Sequence, residues 1–393
     1  MKMNLFTKLN FTKRATNILL LVLLSSVPVY GQPETTDGWE TATPAVVGIN
    51  QTLLDDLHQK IASGDLGHVD SMLIIRHGKM VYEKHYERDY VAINKGQNPA
   101  VDIYNYYSPK YHPFYQDTRL HSMQSTTKSV QSAIFGVAMQ NGFAFDLDKS
   151  ILSYFQDYEI ANVDARKKNI TLRHMLNMRA GFDWDESSTA YNDAENAFLL
   201  MTLSDDWVKY VLDLPMAYEP GEEFFYNSGV SLVLSAIFQK ITGTDVASYG
   251  GEHLFQPMGI TDFYWKKTPQ GVSDGQEGLY ITGSDLAKLG QLMLNGGLWN
   301  QKQLVSPDWM SKMTQPHAEG GEVSKPGYGF QWWFSPLGND SSSMLMAGRG
   351  YGGQLLLIDR EHDTVVVFTG WNIYGEGLSR SVYQESILPA LEN

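Results

Sequence analysis

The stretch His121-Ser122-Met123-Gln124-Ser125-Thr126-Thr127-Lys128-Ser129-Val130 opens what reads as an amphipathic helix, continued by Ile134, Val137 and Ala138 and stopped at Asn141-Gly142. Helical spacing of three puts the Ser125 hydroxyl and the Lys128 ammonium on one face, within reach of each other. A serine is a poor nucleophile until a neighbouring base takes its proton. A lysine whose site lowers its pKa can be that base or steady the transfer. Ser-x-x-Lys is a nucleophile signature for acyl transfer through a covalent serine ester. Serine and lysine fall three apart by chance in most chains this long, so the meaning of the pair depends on what surrounds it.

Upstream, Leu53, Leu54, Leu57 and Ile61 mark a helix from about Asn50 to Ser63. Strands follow at Ser71 to Arg76 and Lys79 to Tyr86, joined by the turn His77-Gly78. The segment from Val101 to Tyr115 reads as a loop crowded with Tyr104, Tyr106, Tyr107, Tyr111 and Tyr115. Downstream the periodicity is helical. The clearest helices are Leu172 to Met178, Trp207 to Leu212, Ser231 to Ile241, and Ser284 to Leu294 with Ser284 as its cap. From Tyr328 strands return, at Gly329 to Phe334, Ser343 to Ala347, Gln354 to Ile358 and Thr364 to Thr369, before a final helix from Leu378 to Leu391. Strands at both ends of the chain predict an α+β fold. One antiparallel sheet is built from N- and C-terminal strands and flanked by helices, with an inserted, mostly helical subdomain at about residues 146–320 of a domain spanning 48–392.

Composition narrows the function. Lys2, Lys8, Lys13 and Arg14 precede the apolar run Ile18 to Leu24, the pattern of a cleavable export signal over residues 1–31, with an uncleaved anchor as the alternative. Residues 32–47 read as a flexible lead-in. Export implies a periplasmic or secreted protein. There is no cysteine, which removes thiol nucleophiles, thiolate metal sites and disulfides together. The formal charge of −14 becomes −18 once the four cations of the leader are gone, which speaks against nucleic acid as a partner. The ten histidines are scattered without metal spacing, so no metal and no cofactor are expected. His121 and His174 read as packing groups, and Asp183, Asp185 and Glu186 as a solvated acidic face. No Gly-x-Ser-x-Gly surrounds a serine, against an α/β-hydrolase.

Two further strings extend the serine-lysine pair. Tyr226-Asn227-Ser228 follows the turn Glu219-Pro220-Gly221 and precedes a helix, where a phenol beside a cation can accept a proton. Ala347-Gly348-Arg349-Gly350-Tyr351-Gly352-Gly353-Gln354 is a glycine-rich bend running into a strand, where backbone N–H groups can meet an oxyanion. In this order the strings resemble the serine β-lactamase and penicillin-binding-protein superfamily. The class C-like and esterase branch, including the 6-aminohexanoate-dimer hydrolases, is the part it is similar to. Leu172 to Gly181 and Ile281 to Gly290 support the resemblance, which covers nearly all of residues 50–390.

The resemblance implies a β-lactamase/transpeptidase-like fold. It also implies an exported serine hydrolase cleaving a small ester or amide through an acyl-serine, with Ser125, Lys128 and Tyr226 catalytic and Ser228, Arg349, Gly350 and Gly352 binding substrate. Two departures point away from antibiotic hydrolysis. Ser228 stands where class C enzymes have Asn, and Gly348-Arg349-Gly350 where they have Lys or His before Thr-Gly. A β-lactamase or D-alanyl-D-alanine peptidase proper, and an inactive ligand-binding relative, are the alternatives.

Overall fold

The computed structural model describes residues 37–93, 119–191, 193–319, 327–338, 343–373, 377–379 and 381–392. The leader and the Tyr104 to Tyr115 loop lie outside the described residues. The lead-in is anchored at its C-terminal end: Trp39 is buried, its indole Nε1 donates to Ser284 Oγ at 3.1 Å, and Thr41 bridges to Met80.

The strands are β1 (Val69–Arg76), β2 (Lys79–His85), β3 (His121–Ser122), β4 (Tyr264–Trp265), β5 (Leu279–Ile281), β6 (Leu298–Trp299) and β7 (Lys302–Gln303). They continue as β8 (Ala318–Glu319), β9 (Gly327–Gly329), β10 (Trp332–Pro336), β11 (Met344–Gly350), β12 (Gln354–Asp359) and β13 (Thr364–Gly370). Eight form one sheet in the order β2-β1-β13-β12-β11-β10-β9-β8, antiparallel throughout, so the two ends of the chain meet at β1 and β13. The expected α+β fold, with one antiparallel sheet built from strands of both chain ends, is the observed one.

Register assigns each face its residues. Ile74 pairs with Val366, Val366 with Leu357 and Leu357 with Ala347, a stripe that buries against Leu54, Leu57 and Ile61 of the helix Gln51–Ser63 and against Ile387 and Leu391 of the C-terminal segment. The neighbouring stripe, Leu73, Val367, Leu356 and Gly348, faces the other way, toward the helices Thr126–Gln140 and Gly283–Leu294. With both faces covered, the central strands are apolar runs, not alternating ones. Beyond the front helices lie the shorter helices Leu172–Leu176, Ala197–Thr202 and Trp207–Asp213 and the long helix Ser228–Thr242. Among the described residues no helix is long and apolar enough to cross a membrane.

Three local expectations need correction. The helix after Ser125 is not amphipathic: every residue from Thr126 to Ala138 is buried, because it lies between the sheet and the helical region. The helix Gly283–Leu294 is capped by Thr282, whose hydroxyl accepts from Asp285 N at 3.0 Å, while Ser284 receives the Trp39 indole instead. The strand expected at Gly329 to Phe334 is two strands, β9 and β10, divided by a tight turn on Phe330 and Gln331, with φ of 50° and 72°. Such turns usually use Asn and Gly. Here Phe330 N donates to Asn177 Oδ1 at 3.1 Å, and Gln331 N to Leu176 O at 3.0 Å. Ser129 Oγ donates to Gln331 O at 2.8 Å and Ser231 Oγ to Gln331 Oε1 at 2.5 Å. Distant partners hold what the local sequence does not favour.

Candidate active site

Ser125 stands at the N-terminal end of the helix Thr126–Gln140. The approach to it is fixed by a small sheet, in which His121 pairs with Ile281 and Ser122 with Tyr280. Met123 N donates to Leu279 O at 2.8 Å. Gln124 then takes a φ of 47°, uncommon for a side-chain-bearing residue, and its amide is tied to Ser122 Oγ at 2.7 Å. The bend delivers Ser125 to the mouth of a cleft. Among the described residues its N–H has no hydrogen-bond partner, while those of Thr126 and Thr127 turn back to Met123 O and Gln124 O.

Lys128 Nζ lies 2.9 Å from Ser125 Oγ and donates at 2.9 Å to Gln276 O, with 1% of the residue exposed. The same ammonium is 5.2 Å from the centre of the Tyr226 ring, which stacks on Trp333 at 5.6 Å and meets Tyr328 edge-on. Ser125, Lys128 and Tyr226 are thus neighbours. The cleft is lined by Gln124, Ser125, Lys128, Tyr191, Phe198, Ser228, Glu277 and Tyr351.

The residues expected to bind substrate divide. Ser228 lines the cleft, but its N–H and hydroxyl both point to Glu186, at 2.7 and 2.8 Å. Arg349 lies with its guanidinium 5.4 Å over the Trp333 ring and is not among the lining residues. Gly350 allows a close approach: a Cβ there would come within 2.4 Å of Met123 O, beside Ser125. Gly352 is in the β11–β12 turn at a φ of 83°, its carbonyl accepting from Asn372 N at 2.9 Å. Tyr351, between them, is the residue of this bend that reaches the cleft.

Glu186 is the main correction. It is 1% exposed, not solvated, and its carboxylate accepts from Trp184 Nε1 (2.8 Å), Tyr191 Oη (3.0 Å) and both Ser228 donors. Asp183 and Asp185 are exposed as expected. The signal was present in the alternation Phe182-Asp183-Trp184-Asp185-Glu186, which puts Glu186 on the side of the two buried aromatics. A buried carboxylate needs full hydrogen bonding, and four donors supply it. It sits at the N-terminal end of the helix Ser228–Thr242, where helix polarity favours an anion. Burial and the Glu186 charge push the Tyr191 phenol well above its ordinary pKa, so Tyr191 stays a donor.

The acidic group around Glu277 was not legible. Glu277 lines the cleft, with Lys266 Nζ 3.8 Å from its carboxylate. Burial opposes the Lys266 charge, but Tyr280, Glu277 and Asp274 outweigh it and keep the ammonium protonated. Asp274, 1% exposed, accepts from Gln276 N and Glu277 N at 3.0 and 3.3 Å. Burial and the neighbouring Glu277 raise its pKa to about 7. His121 is committed to Asp70 Oδ2 at 2.9 Å, and His174 closes a capping box with Thr171.

Comparison with known proteins agrees with this fold. The chain is 24% identical over 268 residues to 6-aminohexanoate-dimer hydrolase of Paenarthrobacter ureafaciens, covering 63% of this chain and 65% of that protein's length. The octameric penicillin-binding protein homologue of Pyrococcus abyssi superposes with a TM-score of 0.61 at 18% identity, covering 86% of this chain and 77% of that one. A family VIII carboxylesterase superposes with a TM-score of 0.61 at 13% identity, covering 89% and 98%. The β-lactamase family profile matches residues 67–370. On this match, with the sheet closed through β1 and β13 and the serine-lysine pair at the helix start, the chain belongs to the β-lactamase family.

Proposed function

We propose that the protein is an exported serine hydrolase that cleaves an ester or simple amide through a covalent acyl-serine. Ser125 attacks the carbonyl carbon while Tyr226, tuned electrostatically by Lys128, takes the hydroxyl proton. The oxyanion lies between the Ser125 N–H, at a helix N-terminus, and an N–H from the strand end after Gly350. Water then attacks the acyl-enzyme and releases the acid. The observation that carries this reading is the 2.9 Å separation of Lys128 Nζ and Ser125 Oγ, with Lys128 buried at the cleft.

An esterase or amidase is favoured over a β-lactamase by the charges around the cleft. A β-lactam bears a carboxylate beside its reacting ring and is best met by a fixed cation. Here the Arg349 guanidinium is stacked over Trp333, the Ser228 hydroxyl is committed to Glu186, and Glu277 adds a carboxylate. A fluorophosphonate probe followed by mass mapping tests the nucleophile: Ser125 labels in an active hydrolase, and an unlabelled Ser125 means a ligand-binding relative. Measuring kcat/KM on p-nitrophenyl butyrate and nitrocefin side by side tests the substrate class. Equal or higher efficiency on nitrocefin restores the β-lactamase alternative. Export is tested by the N-terminus of the secreted protein, expected near residue 32.

A further inference from the structure

Lys128 carries its N–H donors on a flexible four-carbon stem, so its place beside Ser125 has to be fixed from outside its own helix. The acceptor that does so is Gln276 O, 2.9 Å from Nζ. It lies in the turn Asp274-Gly275-Gln276-Glu277-Gly278, between β4 and β5. The peptide unit joining Gln276 to Glu277 is planar, with its C=O and N–H pointing in opposite directions. On the N–H side, Glu277 N donates to Asp274 Oδ1 at 3.3 Å, and Gln276 N donates to the same oxygen at 3.0 Å. A unit held by its N–H on Asp274 aims its carbonyl away from Asp274 and at Lys128. The donated N–H also polarises the unit, which makes its oxygen the better acceptor.

Asp274 is itself fixed. Its N–H donates to Lys266 O at 2.9 Å, and its carbonyl accepts from Gly278 N at 3.0 Å and Trp265 Nε1 at 2.8 Å. The turn has little room to move. A Cβ on Gly275 would stand 1.8 Å from Gln131 Oε1 and 2.3 Å from Ser235 Oγ, and one on Gly278 would stand 2.6 Å from Asp274 O. Gln131 belongs to the helix Thr126–Gln140 and Ser235 to the helix Ser228–Thr242, so the turn packs against the carriers of all three catalytic groups. Where it enters β5, Leu279 N donates to Thr127 Oγ1 at 3.2 Å, beside Lys128. Oδ1 of Asp274 accepts whether or not the other carboxyl oxygen holds a proton, so the arrangement does not depend on the charge of the group.

We propose that Asp274 is a positioning residue: by holding the Gln276–Glu277 peptide it aims the Gln276 carbonyl at Lys128 and so keeps the ammonium on Ser125. The proposal rests on the serine hydrolase reading of the site, but the lysine can be observed apart from turnover. In protein isotopically labelled at its lysine Nζ atoms and read by NMR, the Lys128 signal is the one lost in Lys128→Met. Asp274→Ala should move that signal and lower kcat on p-nitrophenyl acetate about tenfold, with KM within about threefold. Asp274→Asn, which keeps the Oδ1 acceptor, should restore both. The Lys167 signal should stay in place, because that ammonium is held elsewhere, on Ala161 O and Leu212 O, and moves only with a general loss of fold. If Asp274→Ala does not fold, Asp274→Ser serves; its oxygen stops one bond short of Oδ1, and the same effects are expected in smaller measure. An unmoved Lys128 signal in a folded variant overturns the proposal. So does, in an active enzyme, an unchanged kcat or a loss that Asp274→Asn does not restore. Fluorophosphonate labelling separates the two readings. A labelled Ser125 with an unmoved Lys128 signal sinks only the role of Asp274, whereas a moved signal with an unlabelled Ser125 sinks only the hydrolase.

Discussion

The two faces of the sheet solve different problems with the same strands. Behind it, Leu54, Leu57, Ile61, Ile74, Val366 and Leu357 form an apolar layer that asks only for shape. In front, the helix Thr126–Gln140 is as deeply buried but carries Lys128, Ser129 and Gln131, whose side chains are bonded across the interior to Gln276, Gln331, Ser231 and Ser235. An apolar layer tolerates loss gradually, by the volume removed. A buried polar layer holds each group to a stated direction, because an unmet donor or acceptor inside costs about 1–3 kcal/mol. The front face is thus where geometry can be kept for chemistry, and the back face is where the domain gets much of its stability.

The sharpest test of that division is Ser125→Ala. Hydrolysis of p-nitrophenyl acetate should fall at least a thousandfold, about 4 kcal/mol in barrier, with the melting temperature nearly unmoved. Residual activity above a tenth of the parent rejects Ser125 as nucleophile. Lys128→Met and Tyr226→Phe come next. Each should cost two decades or more in kcat, and the double variant little beyond the worse single, since groups sharing one proton path are not additive. Fully additive losses separate them. On the back face, Leu57→Ala should lower stability by about 2–5 kcal/mol while kcat, read well below the melting point, stays within twofold. A large fall in kcat there would show the two faces to be coupled.

The smallest effect is one of pH. The folded-state pKa of Asp274, about 7, exceeds the ordinary 3.8, so the folded protein keeps a proton that the unfolded chain gives up. That contribution to stability is complete below about pH 4 and is lost as pH rises through 7. Asp274→Asn keeps an oxygen for the Gln276 and Glu277 N–H groups but does not titrate. The melting temperature of the variant should therefore gain on the parent between pH 4 and 7 and run parallel to it above. A difference that is flat across the window removes Asp274 as the titrating group.

What could be read from the chain follows the same division. Ser125 and Lys128 were legible because three residues of helix bring them together, and the sheet because its strands are apolar runs at both ends of the chain. Tyr226 was legible from its place before a helix. Glu186 had a local signal in the alternation with Phe182 and Trp184, but Glu277 and Gln331 had none. Their burial is decided by Lys266 and Ser231, residues 11 and 100 positions away, and local pattern carries no trace of that. Arg349, in its glycine-rich string, lies with its guanidinium over Trp333, the ring on which Tyr226 also stacks.

The turn at Phe330 and Gln331 carries a consequence for the order of folding. Its left-handed backbone has no local advocate, so the β9–β10 hairpin gains stability only after Asn177, Leu176, Ser129 and Ser231 have come into position. Contacts between residues so distant in sequence close slowly. This hairpin should therefore be among the last elements to form, with substitutions in the turn speeding unfolding and leaving the folding rate almost untouched.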